Sequence, residues 1–300
     1  MAQRYLSCET RGYALGILGV TMFAATLPMT GIAVGTDAAP RMDAAFVTHG
    51  RAAGAALLSA LWLWWARVPV PSAREMWWLL LTGAAVTVGF PLFMALAMRT
   101  TTGAHASVVL GVLPLATAAL AAISHGQKIR LGFWASALMG SALVMMFAAS
   151  ESHGPVIGLS NGDWLLLGAV ACAAIGYTCG AHLSKTHRAE TVICWAVLLC
   201  APVNIPLAWS HWPTQEIPTA AWWAMGYVTL FSMWLGFFAW YRGLALGGVV
   251  RVSQTQLLQP FLGILFSIPL LGEAWSWKAM AFASAVVACV FVGRRALQTP

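Results

Sequence analysis

The chain has 300 residues, of which 60% are hydrophobic and only 8% are charged. Soluble domains carry about 25% charged residues, so this composition excludes a soluble protein and indicates a polytopic membrane protein. The formal net charge of +7 is interpreted as a signal of membrane topology, and no nucleic-acid partner is predicted.

Ten apolar stretches follow one another along the chain. Most are about 20 residues long, as a helix that crosses about 30 Å of hydrocarbon requires. The first is long enough to span a membrane, and no signal-peptide cleavage site follows it, so we expect it to remain as helix 1. The stretches cover residues 12–34, 46–66, 76–98, 103–123, 131–149, 163–183, 191–210, 221–242, 250–271 and 276–295.

The distribution of basic residues predicts the orientation. With the N-terminus in the cytoplasm, 12 of the 16 Lys and Arg residues fall on the cytoplasmic side and 4 on the outer side. Cytoplasmic loops of membrane proteins carry such an excess of positive charge. We therefore expect both termini in the cytoplasm.

The same pattern occurs twice, 146 residues apart. Residues 104–114 read AHASVVLGVLP and residues 250–260 read VRVSQTQLLQP, so that Ser253 corresponds to Ser107. Each half has five spans, and because five is odd, the second half enters the membrane from the opposite side.

The fold class follows from these counts. The sequence predicts an all-α membrane protein of ten transmembrane helices, arranged as two inverted five-helix repeats, residues 1–150 and 151–300. In transporters built this way the substrate site lies between the halves, near the middle of the membrane.

Several short motifs recur in the two halves or open a span. They are FMALA from Phe93, ASVVLGVLPL from Ala106, Gly126-Gln127, Gly132, Gly140, WYRGLA from Trp240, SQTQLLQPF from Ser253, Gly272-Glu273, and Arg51 followed by AAGAALLSAL. Together they resemble the EamA-type module of the drug/metabolite transporter superfamily, most closely its YddG-type aromatic-amino-acid exporters of bacterial inner membranes. Gln127 departs from the pattern, since the module usually has Glu there. The resemblance implies a central cavity lined by helices 1, 3, 4, 6, 8 and 9, with helices 5 and 10 packed outside.

Helix 9 carries the most polar residues of any span: Ser253, Gln254, Gln256 and Gln259. Unpaired amides in lipid cost several kcal/mol, so these side chains should face protein or a wet cavity. Pro260 also leaves the carbonyl of Gln256 without its helical partner. These groups could bind the ammonium and carboxylate of an amino acid, or they could be hydrogen bonds between helices.

Aromatic side chains in the cavity helices form a second group of candidate substrate-binding residues. Rings stack on aromatic or cationic ligands, although they also serve ordinary packing. Trp234, Phe238 and Tyr241 follow helical spacing and are predicted to share one face. The others are Phe23, Phe90 and Tyr177.

Basic residues near span ends are candidates for gates. His105 and Arg251 lie at opposite ends of the cavity helices and could bind a substrate carboxylate, or Arg251 could simply face lipid headgroups. His49 and Arg51 lie at the embedded outer end of helix 2, where they could gate transport or bind polar backbone groups.

Prolines within spans are candidates for hinges or for fixed kinks, because each frees a backbone acceptor and permits a bend. They are Pro28, Pro91, Pro114 and Pro260.

None of the nine carboxylates falls in the middle of a span. Proton-coupled antiporters need such a group, so facilitated transport is predicted. A cavity without fixed charge suits neutral or zwitterionic solutes.

The resulting hypothesis is a monomeric bacterial inner-membrane exporter of aromatic and other apolar or neutral amino acids, working by alternating access in contact with lipid. It needs no cofactor or metal and is not an enzyme. The alternatives are a drug or metabolite transporter of the same fold, a membrane-embedded enzyme, and a non-transporting scaffold.

Overall fold

The computed structural model describes residues 2–124, 131–151, 159–184, 186–247 and 252–298, almost all of them helical. The helices of the first half are α1 (Ala2–Ala24), α2 (Thr26–Val34), α3 (Ala44–Trp65), α4 (Ala73–Gly83), α5 (Phe90–Ala97), α6 (Gly103–Leu110), α7 (Leu113–Ser124) and α8 (Leu131–Glu151). Those of the second half are α9 (Asn161–Leu183), α10 (Ala189–Leu199), α11 (Ala201–Ser210), α12 (Thr219–Tyr227), α13 (Gly236–Gly247), α14 (Gln259–Leu271) and α15 (Trp277–Gln298).

Two segments wind more widely than an α-helix. The first π segment (Ala84–Gly89) joins α4 to α5, and the second π segment (Val228–Leu235) joins α12 to α13. A 3₁₀ segment (Ser253–Leu258) leads into α14.

Length and apolar composition identify three described helices that could cross a membrane by themselves, which are Thr10–Val34, Ala73–Ala97 and Asn161–Gly180. A fourth results if α10 and α11, which meet at an angle of 53°, form one span. The apolar helical character of the sequence is thereby confirmed, whereas the count of ten spans and the orientation stay predictions.

A short hairpin, β1 (Gly35–Thr36) with β2 (Ala39–Pro40), lies between α2 and α3 and departs from the expected all-α fold. Gly35 has φ of 72°, and a Cβ there would lie 2.3 Å from the carbonyl oxygen of Ala39. A glycine is therefore required for the chain to turn back at this point.

Helices from the two halves pack against each other in pairs. Such pairs include α1 with α13, α5 with α9, α6 with α14, and α8 with α15. Small residues let α6 and α14 approach closely: a Cβ on Gly103 would lie 2.1 Å from Ser267 Oγ, and a Cβ on Gly263 would lie 2.2 Å from Ser107 Oγ. Such contacts are typical of tightly packed membrane helices.

Polar contacts close the two ends of the bundle. We call one end of the bundle the Arg99 end. There, Arg99 lies 4.0 Å from Asp43. The carboxylate of Glu273 accepts hydrogen bonds from the amides of Gly103 (2.6 Å) and Ala104 (3.0 Å) at the same end. Glu273 thereby caps α6 from the other half of the chain.

We call the opposite end the Glu75 end. There, Glu75 lies 2.7 Å from His187, and Arg242 lies 3.4 Å from Glu190. The predicted orientation makes the Arg99 end the outer end and the Glu75 end the cytoplasmic end.

Candidate functional site

A narrow cavity lies in the interior of the bundle, between residues of both halves. The volume in which the centre of a water molecule fits is about 20 Å³, which accommodates roughly one or two waters. An amino acid would not fit until the helices move apart. The lining residues are Phe23, Thr26, Arg51, Val86, Phe90, Ala173, Tyr177, Ser232, Phe237 and Gln259.

Arg51 brings a positive charge to this cavity, contrary to the expectation of a cavity without fixed charge. Its side chain is 2% exposed, and Nη2 donates to Ser232 Oγ at 2.8 Å. The same oxygen accepts from Thr26 Oγ1 at 2.8 Å. Among the described residues, Arg51 Nε has no hydrogen-bond partner, and no carboxylate forms an ion pair with the guanidinium.

A buried guanidinium whose partner is a single hydroxyl group is costly, because burial removes the hydration that a charge has in water. Among the described residues its hydrogen-bond partner is Ser232 Oγ and not polar backbone, which was one of the two expectations for Arg51. It is instead an unneutralised donor that faces the cavity and could bind an anionic group of a ligand.

Aromatic rings form the apolar wall of the cavity. Phe23 from α1, Phe90 from α5 and Tyr177 from α9 all line it, as the sequence suggested. Phe237, which the sequence analysis did not select, packs against Phe23 with ring centroids 5.0 Å apart and against Tyr177 at 6.2 Å. This wall can accept an aromatic or aliphatic side chain.

The three remaining aromatic candidates do not share a face that lines the cavity. Trp234 stacks on Phe238 with centroids 4.7 Å apart, whereas the buried Tyr241 contacts Phe237 at 5.5 Å. Phe237 takes the lining position instead. It lies five residues after Ser232, which also lines the cavity, and five residues is the spacing of one turn in the second π segment.

The polar residues of helix 9 divide into two groups. Gln259 lines the cavity. Gln256 is buried outside the lining, and its Nε2 has no partner among the described residues. For Ser253 and Gln254 the structure describes the backbone of the 3₁₀ segment but not the side chains, and Arg251 lies outside the described residues.

The two histidine candidates are buried but do not line the cavity. His49 Nδ1 lies 2.8 Å from Oδ1 of Asn204, a residue on the bent helix α11. His105 Nε2 lies 2.5 Å from Oδ1 of Asp163, and its ring stacks on Phe147. Both contacts join helices of different halves. Within the described residues, no group of three or more His, Cys, Asp or Glu side chains could hold a metal ion.

The prolines occupy places where helices start or bend. Pro28 is buried within α2, Pro91 lies in the first turn of α5 directly after the first π segment, and Pro260 lies in the first turn of α14. The side chain of Pro114, in α7, is not among those described. Each of these three prolines follows a lining residue closely: Pro28 lies two residues after Thr26, Pro91 directly after Phe90, and Pro260 directly after Gln259.

Sequence reasoning missed the hydroxyl residues of the site. Ser232 accepts a hydrogen bond from Arg51, and Thr26 donates to Ser232. Each is a small residue in an apolar helical segment, where Thr and Ser usually bond to the preceding turn. One signal was available: Ser232 lies 146 residues after Val86, and both line the cavity.

Comparison with known proteins identifies the family. The model of the EamA-like transporter family matches residues 10–148 and 160–293. The uncharacterized transporter YdeK of Bacillus subtilis (strain 168) is 39% identical over 290 residues, which is 95% of this chain and 98% of YdeK. The uncharacterized transporter sll0355 of Synechocystis sp. is 23% identical over 258 residues, 79% of this chain and 78% of its own.

A solved crystal structure has the same fold. It aligns with a TM-score of 0.61 at 18% identity and covers 92% of this chain and 98% of its own. These similarities cover both the α1–α8 and the α9–α15 parts of the chain, and the apolar helices agree with them. The chain therefore belongs to the EamA-like transporter family and is a multi-pass membrane transporter of small molecules.

Proposed function

We propose that this protein exports aromatic and other apolar or neutral amino acids across the bacterial inner membrane, as YddG-type exporters do. The observation that carries the proposal is the guanidinium of Arg51, buried without a carboxylate partner among the described residues and next to a wall of aromatic rings. A positive charge in this position favours a substrate that carries an anionic group.

The amino-acid class fits the chemistry of the lining. The substrate carboxylate would bind Arg51, whose Nε has no acceptor in the part of the chain that the structure describes. The ammonium would bind the amide oxygen of Gln259 and the faces of nearby rings. The apolar side chain would pack against Phe23, Phe90 and Phe237. One guanidinium neutralises a carboxylate, whereas a phosphate dianion calls for more buried cations.

The proposed mechanism is alternating access between two inverted five-helix repeats, residues 1–150 and 151–300, in a monomer with both termini in the cytoplasm. The pairing of α1 with α13 and of α9 with α5 supports it, because a 146-residue shift relates one pair to the other. The small size of the cavity fits an occluded form, which opens at either end when the polar contacts there separate. No carboxylate lines the cavity among the described residues, which supports facilitated transport.

Transport by purified protein in liposomes tests the proposal. We expect saturable uptake of labelled phenylalanine and methionine above that of empty liposomes, with equal rates with and without a pH gradient. Excess unlabelled phenylalanine should compete, whereas phenylethylamine, which lacks the carboxylate, should not.

Absence of uptake for phenylalanine, methionine and threonine would contradict the amino-acid assignment. Competition by phenylethylamine as strong as by phenylalanine would contradict the role of Arg51 and favour cationic drugs as substrates. A strong dependence on the pH gradient would contradict facilitated transport alone.

A further inference from the structure

A second and larger cavity lies at the Glu75 end of the bundle. Its volume for water centres is about 640 Å³, and its walls come from two short stretches, residues 66–79 and 186–195. The first stretch joins α3 to α4, and the second joins α9 to α10. Predicted helix 1 (α1 and α2) and predicted helix 9 (the 3₁₀ segment and α14) both line the central cavity, but neither contributes to this second cavity.

Tightly packed side chains separate the two cavities. Leu79 and Val192 line the second cavity and are also part of a buried apolar cluster with Leu183 and Ala196. Beyond this cluster, a Cβ on Gly83 would lie 2.4 Å from the carbonyl oxygen of Ala196. No space is left there for a solute, so the second cavity is a side pocket rather than part of the transport path.

The side pocket carries a net positive charge. Arg67 and Arg188 line it, and neither forms an ion pair with a carboxylate among the described residues. The pocket's own carboxylate, Glu75, already accepts from Ser72 N (2.8 Å), from Ser72 Oγ (2.6 Å) and from His187 Nε2 (2.7 Å). The two guanidinium groups therefore remain available to an anion.

Backbone dipoles add to the positive electrostatic potential of the side pocket. Both α4 and α10 begin at the pocket, and the partial positive charge of a helix lies at its N-terminus. The start of α4 is capped by Ser72 and Glu75, whereas α10 begins after Arg188 with no side-chain cap. The free amides at the start of α10 can therefore donate to a ligand oxygen, together with Arg188.

Apolar side chains at the rim indicate that the pocket opens toward lipid. Val70, which lines the pocket, is 73% exposed, and Trp64, Trp65 and Trp77 nearby in the chain are 79%, 77% and 66% exposed. In a membrane protein, exposed tryptophans lie at the level of the lipid headgroups. An anion at this level is most readily supplied by a phospholipid.

We propose that this side pocket binds the phosphate headgroup of an anionic phospholipid in the cytoplasmic leaflet. The phosphate oxygens accept from Arg67, from Arg188 and from the first amides of α10, while the acyl chains lie along Val70 and the exposed tryptophans. Basic pockets between membrane helices on the cytoplasmic side have this chemistry. This lipid site does not depend on which solute the protein transports.

Retention of defined lipids by the full-length protein tests the proposal. The detergent-purified protein is titrated with dioleoylphosphatidylglycerol or dioleoylphosphatidylcholine, and bound lipid is counted by native mass spectrometry. We expect phosphatidylglycerol to be retained at concentrations at which phosphatidylcholine is lost. Each arginine at an anionic lipid surface contributes about fivefold in affinity, so the double variant Arg67→Gln with Arg188→Gln should bind about 25-fold more weakly.

Arg74→Gln provides the matched control, because Arg74 is an exposed arginine on α4 that does not line the pocket. It should retain phosphatidylglycerol like the unchanged protein, and circular dichroism checks that all variants are folded. Equal affinity in the double variant and the Arg74→Gln control, or no preference for phosphatidylglycerol over phosphatidylcholine, would overturn the proposal. Glycerol 3-phosphate and inorganic phosphate are tested in parallel, and binding of these with no lipid preference would overturn the lipid assignment in favour of a free anion.

Discussion

The guanidinium of Arg51 and the hydroxyl of Ser232 are 2.8 Å apart, although 181 residues separate them along the chain. The contact joins α3 in one half to the second π segment in the other. Ser232 also accepts from Thr26. Because the hydroxyl of Ser232 is neutral, it leaves the charge of Arg51 unneutralised.

Replacing Arg51 with Lys should reduce phenylalanine uptake by about tenfold or more, even though the charge is kept. An ammonium is a point charge without the planar fork that can bind Ser232 and a carboxylate together. Initial rates of uptake in liposomes measure the effect, and Arg51→Met should be at least as inactive. Arg74→Lys is the control, since that side chain is exposed, and its rate should be unchanged. Equal rates for Arg51→Lys and the unchanged protein would remove Arg51 from the site.

Two glutamines of helix 9 should differ in their effects. Gln259→Leu is expected to lower uptake several-fold, because the side chain lines the cavity. Gln256→Leu should leave uptake near normal and keep or raise stability, because it removes a buried amide nitrogen that has no partner among the residues the structure describes. The two variants control for each other, as both place leucine on the same helical stretch. A greater loss for Gln256→Leu would show that the cavity has another lining during transport.

Close packing of α6 on α14 predicts a steric effect at Gly263. A Cβ added there would lie 2.2 Å from Ser107 Oγ, so Gly263→Ala should destabilise the protein by about 1–3 kcal/mol. Adding Ser107→Ala removes the clashing oxygen and should restore part of the loss. Denaturant unfolding in detergent measures both.

The control for this experiment is Gly226→Ala, because a Cβ at Gly226 meets nothing within 4 Å. Its stability should stay the same or rise by a few tenths of a kcal/mol. If Gly263→Ala were equally harmless, the contact between α6 and α14 would be looser than described.

Glu273 should stabilise the Arg99 end through its two bonds to the amides of Gly103 and Ala104. Glu273→Gln keeps the size but loses the charge at a helix N-terminus, which costs about 1 kcal/mol. A change of this size lowers the melting temperature by about 2 °C in a chain of this length. Glu216→Gln, at an exposed position, should leave the melting temperature unchanged, and an equal fall in both variants would argue against the cap.

The sequence predicted the membrane class and the helical fold because both depend on composition and length, which are local quantities. It also selected Phe23, Phe90, Tyr177 and Gln259, which lie at one cavity. The resemblance to the EamA-type module assigned the helices of these residues to the cavity, and their aromatic or amide side chains made them candidates for binding a ligand.

Other parts of the site depend on information that periodicity does not contain. Phe237 lies at the wall, five residues after Ser232, because the second π segment has five residues between neighbours on one face where an α-helix has three or four. The partners of Arg51 and of His105, which are Ser232 and Asp163, come from the opposite half. Only the packing of the two halves brings such residues together.

The two π segments have a further consequence. Val86 in the first and Ser232 in the second are 146 residues apart and face the same cavity. A π turn contains about one residue more than an α-helical turn, and such turns inside α-helices are frequent at functional sites. Each half therefore has an irregular turn beside the cavity while the helix continues on both sides of it. We expect these two turns to be the places where the cavity wall changes shape.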